Sequence, residues 1–369
     1  MNLRFKRLIY GFGAIIASTT SLSFPQNAHG QISAYIVTDL SNDDPTQVPS
    51  RLNNRGDLVG RGARKAVLAQ IQATIWNHSS LTKKHLGAFA GGDYSSATAI
   101  NDNGEVTGVS NIGAGIVPFL WTAGGGLKRV PLLKGDKCGQ AMSINEYGHV
   151  VGYSSGQNGE KAFFWPGTAR PRQLPTLPGG SYSKARDLND QDEIVGTSGS
   201  SAGARAVVWS KTGTVRDLGT LTGDYASEAV AINNSGDVVG YSKGPQGMRA
   251  FLWNQTSGMQ ALGMLPGGDS SRALAISNLG EVVGSSTSTS GDRAFIWTKE
   301  TGMVDLNNAS SADLGIVLFE AHAINDKGQI LAMGDSREIT VDTVSGATAH
   351  EDCAPAPPST FLLTPTTTR

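Results

Sequence analysis

Short apolar runs cut by polar, glycine-bearing turns fill most of the chain, and the runs come in two kinds. One kind is small and apolar, as in Ala97-Thr98-Ala99-Ile100 and Ala229-Val230-Ala231-Ile232. It leads straight into an Asn-x-x-Gly turn, such as Asn101-Asp102-Asn103-Gly104, Asn145-Glu146-Tyr147-Gly148 or Asn233-Asn234-Ser235-Gly236. The other kind is apolar on both faces. In Arg249-Ala250-Phe251-Leu252-Trp253 a strand would put Ala250 and Leu252 on one side and Phe251 and Trp253 on the other. Such a strand belongs to a sheet sandwiched between two other layers. The 3.6-residue period of a helix is absent.

The pattern repeats. Trp121, Trp165, Trp209, Trp253 and Trp297 stand 44 residues apart, which marks an array of like units. Residues 229–272 read as one unit of four strands: Ala229 to Asn233, Asp237 to Ser242, Arg249 to Trp253 and Met259 to Gly263, joined by turns that carry glycine. Four short strands per unit, buried on both faces, predict the radially packed blades of a β-propeller. The alanines of strand one suit the crowded axis of such a ring.

The Asn-x-x-Gly turn occurs seven times, beginning at Asn53, Asn101, Asn145, Asn189 (with its glycine lost), Asn233, Ser277 and Asn325. The expectation is seven blades, with six plus a decayed unit as the alternative. The seventh unit offers only a weak third strand, Glu338 to Val341, and no fourth. Tyr35-Ile36-Val37-Thr38-Asp39-Leu40 resembles the fourth strands Val215-Arg216-Asp217-Leu218 and Met303-Val304-Asp305-Leu306. Residues 34–40 are therefore expected to complete the last blade and so remove the free edges.

Outside the repeat, Arg4, Lys6 and Arg7 precede the apolar stretch Leu8 to Ala17, and Ala28-His29-Gly30 offers a cleavage site. That order describes a secretory signal peptide. The domain reading is thus a signal peptide at 1–30, a propeller at 31–344 and a Pro/Thr-rich disordered tail at 345–369. Removing 1–30 lowers the formal charge from −1 to −4 and leaves no Lys/Arg stripe, so nucleic acid is not an expected partner. No apolar run is long enough to span a membrane. Two cysteines, Cys138 and Cys353, leave one disulfide or two free thiols equally open.

The combination of Ala-Ile-Asn, the glycine turn, Val-Val-Gly, x-Ala-Phe-x-Trp and a Leu-Gly-x-Leu-x-Gly-Gly connection resembles the bacterial "probable extracellular repeat, HAF family" over about residues 34–342. The histidine of His-Ala-Phe is replaced here by Lys161, Arg205, Arg249 and Arg293, and Pro118 stands before Phe119. The resemblance implies an exported bacterial β-rich repeat protein and no particular reaction.

Several motifs dissolve on inspection. Gly152-Tyr153-Ser154-Ser155-Gly156 and Gly240-Tyr241-Ser242-Lys243-Gly244 match the G-x-S-x-G nucleophile pattern. Both end strand two of equivalent units, with no helix behind the serine. The histidines His78, His85, His149, His322 and His350 show no metal-ligand spacing. The Asx-Gly turns lack the alternate ligands and closing glutamate of a calcium loop. The recurring basic residue at 161, 205, 249 and 293 could ring an anion, but a residue repeated at one blade position is better explained by a repeated structural task. No cofactor or metal is expected.

The connections from strand four to the next unit's strand one carry Asp93, Tyr94, Asp136, Tyr182, Asp224, Tyr225 and Asp269. Aromatic rings beside carboxylates can stack on and hydrogen-bond a sugar, and rigidly held loops are where binding residues concentrate. These seven are the candidate ligand-binding residues, with stabilisation of the Gly-Gly turns as the equal alternative. The function expected is an exported, monomeric, non-catalytic binding propeller, extracellular or periplasmic, with a glycan or protein as partner. A structural surface component and an enzyme acting on extracellular polysaccharide are the alternatives.

Overall fold

The computed structural model describes residues 34–41, 46–63, 70–113, 115–308, 315–336 and 358–366. The signal-peptide reading at 1–30, the weak strand at 338–341 and Cys353 lie outside the described residues. The described chain is all-β apart from one short 3-10 turn, Leu306–Asn308. Seven four-stranded antiparallel sheets form a ring, a seven-bladed β-propeller. Blades one to six occupy 48–87, 95–129, 138–173, 183–217, 226–261 and 271–305, each in strand order one to four from the axis outward. No helix among the described residues is long and apolar enough to cross a membrane.

Blade seven is assembled from both ends of the chain. Ile316–Ile324 and Ile330–Ser336 supply its inner strands, Ser359–Pro365 is its third, and Tyr35–Asp39 pairs antiparallel with that third strand on the outside. The closing role of residues 34–40 is therefore as expected. The third strand is not: it comes from within the segment read as a disordered tail. Composition misled there, because Pro and Thr flank a run of apolar residues. Phe361, Leu362 and Leu363 are all buried, and Phe361 and Leu363 pack against Tyr35 and Ile330.

Seven apolar clusters hold the ring, one at each boundary between blades. The two-faced third strand is the reason. Phe163 and Trp165 are buried on one side and Ala162 and Phe164 on the other; Phe251 and Trp253 are divided from Ala250 and Leu252 in the same way. Truncating any of these aromatics would cost about 3–5 kcal/mol.

The Val-Val-Gly of strand two answers a feature of strand one. In blades one to six, strand one carries a bulge ahead of its last residues, for example between Ala229 and Ala231. There the backbone swings toward strand two. A Cβ on Gly152 or Gly240 would lie 1.9 or 2.0 Å from the carbonyl oxygen of Gln140 or Glu228, so only glycine fits.

The Asn-x-x-Gly turn does more than reverse the chain. Asn53, Asn145, Asn189, Asn233 and Asn325 accept backbone N–H groups two and four residues on through Oδ1, and Asn101 accepts the one four residues on. Each Nδ2 donates to the carbonyl of the equivalent residue in the next blade, at 2.9–3.2 Å: Asn53 to Asn101, then Asn145, Asn189, Asn233 and Ser277, and finally Asn325 back to Asn53. Ser277, with no amide, leaves the one gap. The following residue forms a second, complete ring, in which each backbone N–H donates to the next blade's side-chain oxygen at 2.7–3.0 Å. It runs Asn54, Asp102, Glu146, Asp190, Asn234, Asn278, Asp326 and back to Asn54.

The one turn without glycine has its own explanation. His149 stands where the other blades carry a carboxylate or amide, and Asp192 of the next blade fills that role. Its Oδ1 meets His149 Nδ1 at 2.6 Å and accepts from Asn145 Nδ2 at 3.2 Å. Asp192 does so from a left-handed backbone, φ 61°, which aspartate tolerates better than most residues.

Candidate functional site

Each blade sends its strand two–three turn and its exit to the next blade to one face of the ring. All seven candidate residues lie on that face. The structure divides them by chemistry.

The carboxylates are loop clamps. In the Gly-Gly connections the second glycine, Gly92 or Gly268, presses on the carbonyl of Asn111 or Thr287. The next residue, Asp93 or Asp269, accepts a hydrogen bond from that same residue's side chain at 2.6 or 2.9 Å. In two other connections aspartate replaces the second glycine, as in Gly135-Asp136 and Gly223-Asp224. Asp136 accepts from Ser154 Oγ at 2.5 Å, and Asp224 pairs with Arg249 at 2.8 Å. Space for these carboxylates is made at the end of strand two: a Cβ on Gly156 or Gly244 would fall 2.1 or 1.9 Å from Asp136 or Asp224 Oδ1. The final glycine of each G-x-S-x-G match is thus room for a carboxylate.

The serines of those matches are structural as well. Ser154 and Ser242 are wholly buried and accept the backbone N–H of Leu133 and Leu221. Equivalent serines Ser110, Ser198 and Ser286 do the same for Phe89, Leu177 and Leu265. A hydroxyl sealed from water and engaged with backbone in five blades cannot attack a substrate there.

The recurring basic residue is likewise tied to these loops. Lys161 donates to the Ser181 carbonyl, Arg205 to that of Tyr225 and Arg249 to that of Thr222, while Arg293 lies 3.8 Å from Asp305.

The tyrosines remain. Tyr225 is 54% exposed at the loop tip, and Tyr94 and Tyr182 are half-buried in equivalent connections. The Tyr182 ring lies over Gly199 at the end of strand two. No two of the three are in contact among the described residues. The face is a rigid frame bearing spaced phenol rings, and its carboxylates are already committed.

Sequence reasoning missed the central channel. Strand one of every blade lines it, and a cavity of about 170 Å³ lies within, bordered by Arg51, Ser143, Asp187, Met142, Val230 and Leu274 among others. Toward the asparagine turns it opens into a bowl of about 420 Å³ rimmed by the outer hydrogen-bonded ring. Several of the strand-one charges pair between neighbouring blades: Lys184 with Glu160 at 2.9 Å, Arg186 with Glu228 at 3.7 Å and Arg272 with Glu320 at 3.3 Å. Burial first, and the adjacent Glu228 second, push the Tyr241 phenol up to about 12. The signal was present in the sequence as departures from the small, apolar strand-one pattern. Among the described residues, no group of three or more His, Cys, Asp or Glu side chains could hold a metal.

No family model and no curated protein matches the chain. Among solved structures, it is similar to selenomethionine-substituted virginiamycin B lyase from Staphylococcus aureus. The TM-score is 0.53 at 14% identity, over 89% of this chain and 98% of that one. It is also similar to the β-propeller domain of the Trilobed protease from Pyrococcus furiosus, with a TM-score of 0.50 at 11% identity over 83% and 91%. At such identities the likeness concerns the fold.

Proposed function

We propose that this is an exported, monomeric, non-catalytic binding propeller that takes an extracellular glycan or protein segment on the face of the inter-blade connections. The observation that carries the reading is the position of Tyr225, exposed on a loop that the Asp224–Arg249 pair and the buried Ser242 hold rigid. A phenol presented on a fixed loop loses little entropy on binding and can stack on a sugar ring or an apolar side chain. The committed aspartates support the frame rather than the contact, so the ligand would meet rings and backbone. The basic n-region, apolar stretch and small-residue cleavage pattern of residues 1–30 support export, to the periplasm or beyond. The resemblance to the HAF repeat family agrees with that placement.

The test is binding of residues 31–369 to arrayed glycans and extracellular polymers, beside a Tyr94→Ala, Tyr182→Ala, Tyr225→Ala variant. Binding that disappears in the variant, with the melting temperature unchanged, supports the reading. Silence of the parent across the array favours a structural surface component, and binding that survives in the variant moves the site elsewhere.

A further inference from the structure

The channel holds two opposite charges that no ion pair among the described residues neutralises. Two residues before the turn asparagine, or before Ser277 in blade six, four blades carry alanine: Ala99, Ala231, Ala275 and Ala323. The other three carry Arg51, Ser143 and Asp187. A position facing only its neighbours would be filled alike in every blade. Arg51 and Asp187 belong to blades one and four, well separated around the ring, and both border the 170 Å³ cavity.

Each is held by hydrogen bonds alone. Asp187 Oδ1 accepts Ser143 Oγ–H at 2.7 Å and Oδ2 accepts the Ile232 N–H at 3.0 Å, so the carboxylate is fixed by the blades on either side of its own. Arg51 Nη1 donates to the carbonyls of Ser50 and His322, at 2.8 and 3.4 Å. Among the described residues these are the guanidinium's only hydrogen bonds, and no ion pair joins Arg51 to Asp187. Enclosure in the channel pushes the Asp187 carboxyl above its ordinary value, with Ser143, the Ile232 and Leu188 amides and Arg51 opposing. It also pulls the Arg51 guanidinium below its own. Both are charged groups on the wall of one cavity, and a ligand that carries both signs would complement them.

The lining between them is mixed: Met142, Val230 and Leu274 stand three residues before the turn asparagine or serine of their blades, and Arg186, paired with Glu228, holds that place in blade four. We infer that the channel is a binding site for a small zwitterion of the α-amino acid type, carboxylate on Arg51, ammonium on Asp187 and a short aliphatic side chain against Met142, Val230 and Leu274. Arg suits the carboxylate end because its planar fork can take both oxygens. The cavity is below the about 300–1,000 Å³ of pockets that hold drug-sized ligands, which confines the ligand to one or two residues. This site is separate from the loop face and does not rest on the reading proposed for it.

The experiment is titration calorimetry of residues 31–369 with L-valine, L-leucine and the dipeptide valyl-valine, and with isobutyrate and isobutylamine as single-charge controls. The expected result is saturable heat with at least one zwitterion and at least about tenfold weaker binding of both controls. Valine without the dipeptide would identify free amino acids as the source, and the dipeptide alone would identify peptides. Arg51→Met should lower affinity about tenfold or more while leaving the melting temperature near the parent's. If that variant unfolds, Val230→Phe, which narrows the cavity and keeps both charges, should abolish the heat. No heat with any zwitterion overturns the inference. So does binding that both Arg51→Met and Val230→Phe leave intact, or binding of a single-charge control as tight as the zwitterion's.

Discussion

The side-chain amide of Asn325 donates to the backbone carbonyl of Asn53, 272 residues earlier, at 2.9 Å. Within blades one to five the same bond joins residues only 44 or 48 apart, so the closure of the ring uses the contact that links its other members. Asn325 also accepts from Lys327 and Gln329, so Asn325→Ala leaves several buried groups unpaired and should cost about 2–3 kcal/mol. At the gap, Ser277→Asn supplies the missing amide and should raise stability by about 1 kcal/mol. Urea unfolding measures both, and a destabilised Ser277→Asn would show that the ring does not need its seventh bond.

A second prediction comes from how strand three is pinned. The backbone N–H of Ala73, Ala162, Ala206 and Ala250 each donates to a buried serine of the next blade: Ser95, Ser183, Ser227 and Ser271. In blade two this place is Pro118, which has no N–H, and the facing residue is Gly139 instead of serine. Ser183→Ala should cost about 1–3 kcal/mol by orphaning the Ala162 N–H. Gly139→Ser should gain nothing and lose stability, since its Cβ would meet the Tyr153 carbonyl at 2.6 Å. A neutral Ser183→Ala, or a stabilising Gly139→Ser, would refute the pairing.

Gly156 and Asp136 share one space. Gly156→Ala should destabilise by about 1–3 kcal/mol, because the new methyl meets a carboxylate that Ser154 holds in place. Asp136→Gly should cost less in that background than in the parent. A double-mutant cycle with coupling of about 1 kcal/mol or more is expected, and strict additivity would mean the two sites are independent.

His322 gives the fold an acid sensitivity. Burial, helped by the charge of Arg51 and opposed by a hydrogen bond to the Pro49 backbone, drops its pKa from 6.5 to about 3. The unfolded chain takes up a proton below pH 6.5 and the folded chain does not, so stability is lost as pH falls from 6.5 toward 3. The slope from this group approaches about 1.4 kcal/mol per pH unit. His322→Gln should flatten that limb while leaving stability above pH 7 little changed. Parallel pH profiles would contradict the assignment.

The sequence disclosed the repeat, the four strands, the blade count and the outer closing strand, because all of these are periodic and periodicity survives in one dimension. It also disclosed the loops of the candidate face, but their aspartates and tyrosines could not be told apart there. The distinction depends on whether Asn111, Ser154 or Arg249 reaches the carboxylate, and those partners lie 18 to 25 residues further along. Ser359–Pro365 was hidden by its company: two prolines and several threonines outweigh the three central apolar residues in any average. The Arg51 and Asp187 pair was hidden by distance, since only closure of the ring brings the strands that bear them to a common channel.

Beyond the paired strands of blade seven, the backbone N–H of Thr366 donates to the carbonyl of Ala34 at 2.8 Å. The described polypeptide thus returns to its starting place, and every blade becomes equivalent to a first one. A peptide linker joining residues 34 and 366, with the chain cut instead at the exposed Tyr225 loop, would give a circular permutant in which blade five begins the molecule and blade seven is a continuous hairpin stack.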